Sequence, residues 1–225
     1  MFADRQDAGR RLAERLGPYA NSGAVSSQGP VVVGLPRGGV VVAAEVAREL
    51  RAPLDILVVR KLGCPWQPEL GIGAIAEGDI RVLNRDLVGE LGLSAGEVDA
   101  VTANERAELE RRVATYRQGR PREPVRGRLV IVIDDGLATG YTARAAIASL
   151  RAGGARRVIL AVPVAPASSV AEFGSVADHV VVAEPAKHLL AVGAFYGDFR
   201  QTPDAEVIEL VRASARARAG AAPPG

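Results

Sequence analysis

The sequence predicts an α/β domain built on an open, mostly parallel sheet flanked by helices. Three observations carry that expectation. Residues 31–34 and 129–133 are short runs dominated by β-branched side chains. Each run passes through a glycine-bearing loop into a helix-forming stretch. Further strand and helix patterns alternate after residue 129, and parallel neighbours need such crossovers.

The elements follow in chain order. Ala8, Leu12 and Leu16 recur at helical spacing, so residues 5–16 predict a helix. A polar loop occupies 21–29. Strand 31–34 is interrupted by Pro36, Arg37, Gly38 and Gly39; a helix over 40–50 and a buried strand over 54–59 complete a βαβ unit. The middle differs in character. Residues 71–77 and 80–83 predict a small hairpin. Ser94 and Glu97 have capping-box spacing and open a charged helix to about Tyr116. A linker rich in Pro and Arg spans 119–124. Strands at 129–133, 158–162 and 180–182 then alternate with helices at 142–151 and 168–173. A last helix spans 204–218, and 219–225 predicts a disordered tail. Residues 1–218 thus read as one domain, with 63–127 as an insertion.

Composition narrows the function classes. Of 225 residues, 48% are hydrophobic and 24% charged, which suits a packed globule, and no apolar run could span a bilayer. The first 16 residues lack the apolar core of a signal peptide. Cys64 is the only cysteine, so no intrachain disulfide can form and a cytoplasmic setting is expected. Net charge is +2, and the basic residues are spread opposite acids on helical faces. Neither a membrane nor nucleic acid is therefore expected as partner.

The most informative string runs from Val130 to Thr142. Its strand delivers Asp134 and Asp135 to a C-terminal end, where open α/β sheets bind ligands. The loop Ala138, Thr139, Gly140, Tyr141 and Thr142 then enters a helix; its amides and hydroxyls suit a phosphate. Two adjacent carboxylates beside an anion site need hydroxyls, a metal or a developing cation to face. A nucleotide P-loop would carry Lys where Tyr141 stands.

This string resembles the signature by which type I phosphoribosyltransferases bind 5-phosphoribosyl-1-pyrophosphate (PRPP). The resemblance implies that Asp134 and Asp135 hold the ribose 2′- and 3′-hydroxyls, and that Ala138 to Thr142 hold the 5′-phosphate. Pro36, Arg37, Gly38 and Gly39 are similar to the family's pyrophosphate loop, where a cis peptide is frequent, here the Pro36–Arg37 bond. Arg-Gly-Gly alone describes any tight turn, and its place after the first core strand gives it weight. Arg60 and Lys61, at the next strand end, are implied pyrophosphate contacts leading into a flexible closing loop. Residues 184–204 correspond to a small hood over the base, where Phe195 and Tyr196 could stack on an aromatic ring, with Trp66 of the mobile loop as a further candidate.

By this resemblance the chain is an Mg²⁺-dependent transferase acting on PRPP and a heterocyclic base, forming a homodimer. Arg37 and Lys61 would act on the leaving pyrophosphate, and Asp134 and Asp135 near the developing sugar cation. The metal is expected mainly on PRPP itself, with Asp134 and Asp135 as candidate ligands. Ala138 stands where hypoxanthine–guanine members carry Asp, which disfavours a 6-oxopurine acceptor. His179 and His188 are the available imidazoles for acid–base work. Two alternatives remain open: a PRPP-sensing regulator without catalysis, and PRPP synthesis, which would need a second related domain and an ATP site.

Overall fold

The computed structural model describes residues 1–20, 29–137 and 140–221. Its centre is a five-stranded sheet of β1 (Val31–Gly34), β2 (Leu54–Ile56), β6 (Leu129–Ile133), β7 (Arg157–Pro166) and β8 (His179–Ala186). Their spatial order is β2-β1-β6-β7-β8, and every pairing is parallel. Alternation along each strand sorts the side chains onto two faces. In β6, Ile131 and Ile133 join Leu12, Val42 and Val46 of α1 (Arg5–Ala20) and α2 (Gly38–Glu49). Val130 and Val132 join Ile147, Leu150 and Phe173 of α5 (Tyr141–Ala152) and α6 (Ser169–Phe173).

A second sheet differs from expectation. The anticipated strand over 54–59 breaks after Ile56, and Val59–Cys64 forms β3, antiparallel to β4 (Gln67–Ala76), which pairs with β5 (Ile80–Leu83). At the break the Val58 amide donates to the Glu77 carboxylate at 2.8 Å rather than to a neighbouring strand. The hairpin expected over 71–83 is thus the outer part of a three-stranded sheet. A short helix not anticipated, α3 (Arg85–Glu90), follows, with the Asn84 side chain accepting from the Leu87 amide.

α4 (Ala95–Arg117) begins on the expected capping box: the Ser94 hydroxyl accepts from the Glu97 amide, and Glu97 accepts from the Ser94 amide. At its other end Arg117 is buried. Its guanidinium donates to Asp55 at 2.8 Å and to the Ile56 carbonyl at 2.6 Å, and lies 3.4 Å from Glu77. One side chain thereby joins α4, β2 and the turn after β4.

Boundaries shift elsewhere. α1 continues to Ala20 with Pro18 in its last turn, and α7 (Asp204–Ala221) enters the segment expected to be a disordered tail. Residues 222–225 of that segment lie outside the described residues. Among the described residues, no helix is long and apolar enough to cross a membrane.

Candidate active site

The parallel register of β1 and β6 sets Gly34 beside Ile133, so two loops leave the sheet at the same edge. The first begins with the Leu35 amide donating to the Ile133 carbonyl at 2.9 Å; the Pro36–Arg37 peptide that follows is cis. The glycines after it permit contact with the second loop. A Cβ on Gly38 would overlap Asp135 Oδ2, and one on Gly39 would stand 2.8 Å from both Asp134 Cα and the Ile133 carbonyl oxygen. Gly39→Ala is therefore expected to push the loops apart and destabilise by about 1–3 kcal/mol, measured by denaturant titration.

On the second loop the Asp135 amide donates to Asp134 Oδ1 at 2.9 Å. Gly140 adopts φ of 75° and opens α5; a Cβ there would also press on the Phe173 ring at 2.7 Å. Ala138 and Thr139, expected at the 5′-phosphate, lie outside the described residues. Thr142 reaches the cleft, whereas Tyr141 packs against the small cluster of Ala74, Ala76 and Ala145 where α5 meets the second sheet.

A cleft of about 580 Å³ collects Pro36, Arg60, Lys61, Asp134 and Thr142 from four separate segments. α4 closes one side with Asn104, Glu105 and Arg112, and Arg60 is ion-paired to Glu105 at 2.7 Å. Arg37 sits at the start of α2, 3.7 Å from Asp204, whose carboxylate also accepts from the Tyr116 hydroxyl at 2.8 Å. Burial first, and the neighbouring Asp135 charge second, push the Asp134 carboxyl well above the usual carboxylate range. Lys61 and Arg5 oppose that shift.

An acid whose folded pKa is raised is most favourable to folding while protonated, and its contribution is lost as pH rises through the folded value. Asp134→Asn is thus expected to raise the melting temperature at and above neutral pH and to flatten its fall with pH, as scanning calorimetry across pH would record.

The hood region differs from expectation. Tyr196, anticipated as a stacking surface, is buried between Phe2 at 5.4 Å and Phe199 at 4.9 Å between ring centroids, and its hydroxyl donates to the Asp135 carbonyl at 2.6 Å. It supports the loop rather than facing a ligand. Phe195 lies in a 3-10 turn (Val192–Phe195), partly buried against the same core. Trp66 is 59% exposed at the β3–β4 turn, next to the cleft residues Cys64, Pro65 and Pro68. His179 is exposed beside the Tyr19 ring, 5.2 Å away, and His188 is exposed, so neither is in the cleft.

Sequence reasoning missed Arg5, Asn104, Glu105 and Arg112. Arg5 Nε donates to Asp135 Oδ2 at 2.8 Å across 130 positions of sequence. The α4 residues sit in a charged helix whose pattern resembles a solvated surface, and nothing local distinguishes them.

Comparison with known proteins agrees with this architecture. The family model described as phosphoribosyl transferase domain matches residues 8–182. Curated proteins from two strains of Mycobacterium tuberculosis, each named provisionally as a phosphoribosyl transferase, are 50% identical over 223 residues. That is 98% of this chain and 49% of theirs, so the chain spans about half the length of the curated relatives it matches. The crystal structure of TT1426 from Thermus thermophilus is 40% identical. It covers 93% of this chain, the match takes in 97% of TT1426, and the TM-score is 0.77.

Proposed function

The chain belongs to the phosphoribosyl transferase domain family, and from that membership we propose that it transfers the 5-phosphoribosyl group of PRPP to a nitrogenous base, releasing pyrophosphate. One observation carries the reading most: Gly38 and Gly39 lie directly against Asp135 and Asp134, so a glycine-cradled anion site and a paired-carboxylate site share one wall. PRPP has that layout, with hydroxyls beside a pyrophosphate.

The roles follow from chemistry. Asp134 and Asp135 accept from the ribose hydroxyls. The amides of Gly38 and Gly39, with Arg37, Arg60 and Lys61, receive the pyrophosphate. Gly140, Tyr141 and Thr142 open α5, where backbone N–H groups favour the 5′-phosphate; Ala138 and Thr139, just before them in the sequence, are assigned to the same phosphate. As the bond from C1′ to pyrophosphate lengthens, positive charge grows on the sugar and negative charge on the leaving group. Fixed carboxylates and cations on the two sides lower that barrier without covalent participation.

The donor set is compatible with Mg²⁺. Two adjacent carboxylate oxygens suit a hard cation, and no cluster of three acidic or imidazole ligands occurs among the described residues. The metal would then be held chiefly by PRPP, with Asp134 and Asp135 as protein ligands, and would offset charge on the leaving pyrophosphate.

Closure over the ligand is assigned to the β3–β4 turn around Trp66, not to the whole of 63–127, because Arg117 anchors α4 in buried ion pairs. Hydrogen exchange without ligand should be fast at 64–68 and slow around residue 117. Protection of the turn equal to that of β6 would count against closure there.

The test is calorimetric titration of PRPP with Mg²⁺, then pyrophosphate release across purine, pyrimidine and other heterocycles. Binding with release on one acceptor is expected, and binding with no release on any of them would favour a PRPP sensor. Absence of PRPP binding would overturn the reading.

A further inference from the structure

The N-terminal segment is joined to the candidate site by contacts that the transfer reaction does not by itself require. The Phe2 amide donates to the Phe195 carbonyl, and the Gly197 and Asp198 amides donate to the Phe2 and Ala3 carbonyls, each at 2.8 Å. This pairing fixes the start of α1 against residues 195–198. Arg5, in the first turn of α1, then projects to the carboxylate pair: Nε donates to Asp135 Oδ2 at 2.8 Å. Its side chain is 11% exposed and that of Asp135 is 19% exposed, so solvent screens the pair only weakly.

The guanidinium is itself held on two other sides. Its Nη1 donates to the Arg200 carbonyl at 2.7 Å, and its central carbon lies 3.9 Å from the centroid of the Phe199 ring. Phe199 packs on Tyr196, whose hydroxyl donates to the Asp135 carbonyl. Asp135 is thus gripped at its main chain by Tyr196 and at one carboxylate oxygen by Arg5, and both grips are braced by the same ring stack. A planar fork locked this way fixes a carboxylate more firmly than a flexible ammonium would.

We propose that Arg5 is the positioning residue for Asp135: it holds Oδ2, presents Oδ1 to a ribose hydroxyl, and makes the N-terminal segment an integral part of the sugar site. The proposal rests on the reading of the Asp134–Asp135 loop as that site. It is independent of which base accepts the sugar.

Calorimetric titrations of the full chain with PRPP and Mg²⁺, ribose 5-phosphate, and pyrophosphate separate this role from general support of the fold. Arg5→Gln is expected to weaken PRPP and ribose 5-phosphate at least tenfold while pyrophosphate changes less than twofold. Arg5→Lys should recover part of the loss; should the glutamine variant fail to fold, the lysine variant, compared with the unaltered chain, carries the same comparison. In an Asp135→Asn background, Arg5→Gln should add less than a twofold further loss, because the two residues act as a unit. Equal weakening of ribose 5-phosphate and pyrophosphate would make Arg5 a structural prop and overturn the assignment. Unchanged binding in Arg5→Gln, with loss confined to Asp135→Asn, would overturn it while leaving the sugar site in place. Tighter PRPP binding in Arg5→Gln would overturn it in the opposite sense, making the guanidinium an obstruction. If the unaltered chain binds neither PRPP nor ribose 5-phosphate, the sugar site and the proposal fall together.

Discussion

Replacing Asp135 with Asn is expected to weaken PRPP binding roughly 10- to 100-fold, the range for losing a hydrogen bond to a charged acceptor, and replacing Asp134, whose ionisation is opposed by burial, by less. Turnover with the correct acceptor should fall further, by about 10²–10³, since the carboxylates face charge that develops only as the sugar bond breaks. Calorimetry and single-turnover pyrophosphate release would measure the two effects separately. The fold should survive, because Asn fills the same volume and Asp134 is held against its own ionisation by burial and by Asp135. A variant that loses ligand and becomes more stable is the signature of a group retained for chemistry. Unchanged binding in both variants would remove the sugar site.

Arg117→Met is expected to cost about 3–5 kcal/mol of folding stability, since it leaves Asp55 buried without its cation and Glu77 with only the more distant Arg122, 3.9 Å away. Asp55 and Glu77 are both buried and both face this guanidinium, at 2.8 and 3.4 Å. For a chain of this size the loss corresponds to roughly 6–20 °C in melting temperature. Arg117→Lys should fall between, because an ammonium cannot reach Asp55, Glu77 and the Ile56 carbonyl from one plane. Thermal unfolding at neutral pH decides the point, and a shift below about 2 °C for Arg117→Met would show that the cluster contributes little.

What was legible in the sequence was what short-range chemistry encodes. Val31–Gly34 and Leu129–Ile133 read as buried parallel strands because β-branched side chains on both faces have few other stable settings. The Ser94–Glu97 box marked the start of α4 because the cap is completed within four residues. The glycines at 38 and 39 mark an anion loop by their place after the first core strand, and their close approach to Asp134 and Asp135 gives a second reason for their small size.

The illegible parts depend on distant partners. The split between β2 and β3 falls where the Val58 amide turns to the carboxylate of Glu77, 19 positions away. Arg5 is one of many arginines until the fold brings it to Asp135. Tyr196 looked available for stacking because an aromatic pair near a ligand loop carries no local sign of which face is covered; Phe2, from the other end of the chain, covers it. Arg117 ends a helix whose charge pattern matches solvated surface, yet it is the buried residue that holds that helix to the sheet.

The pairing of β1 with β6 has a consequence for how the protein assembles. Strands about a hundred positions apart must meet before the carboxylates face the glycine loop, and such non-local pairing is slow because chain entropy is lost before contacts compensate. The intervening β3–β5 sheet and α4 are built from local hairpins and turns, so they can form early and shorten the effective separation of the two strands. Ligand-binding competence should therefore emerge in the final kinetic phase of refolding, later than most of the secondary structure.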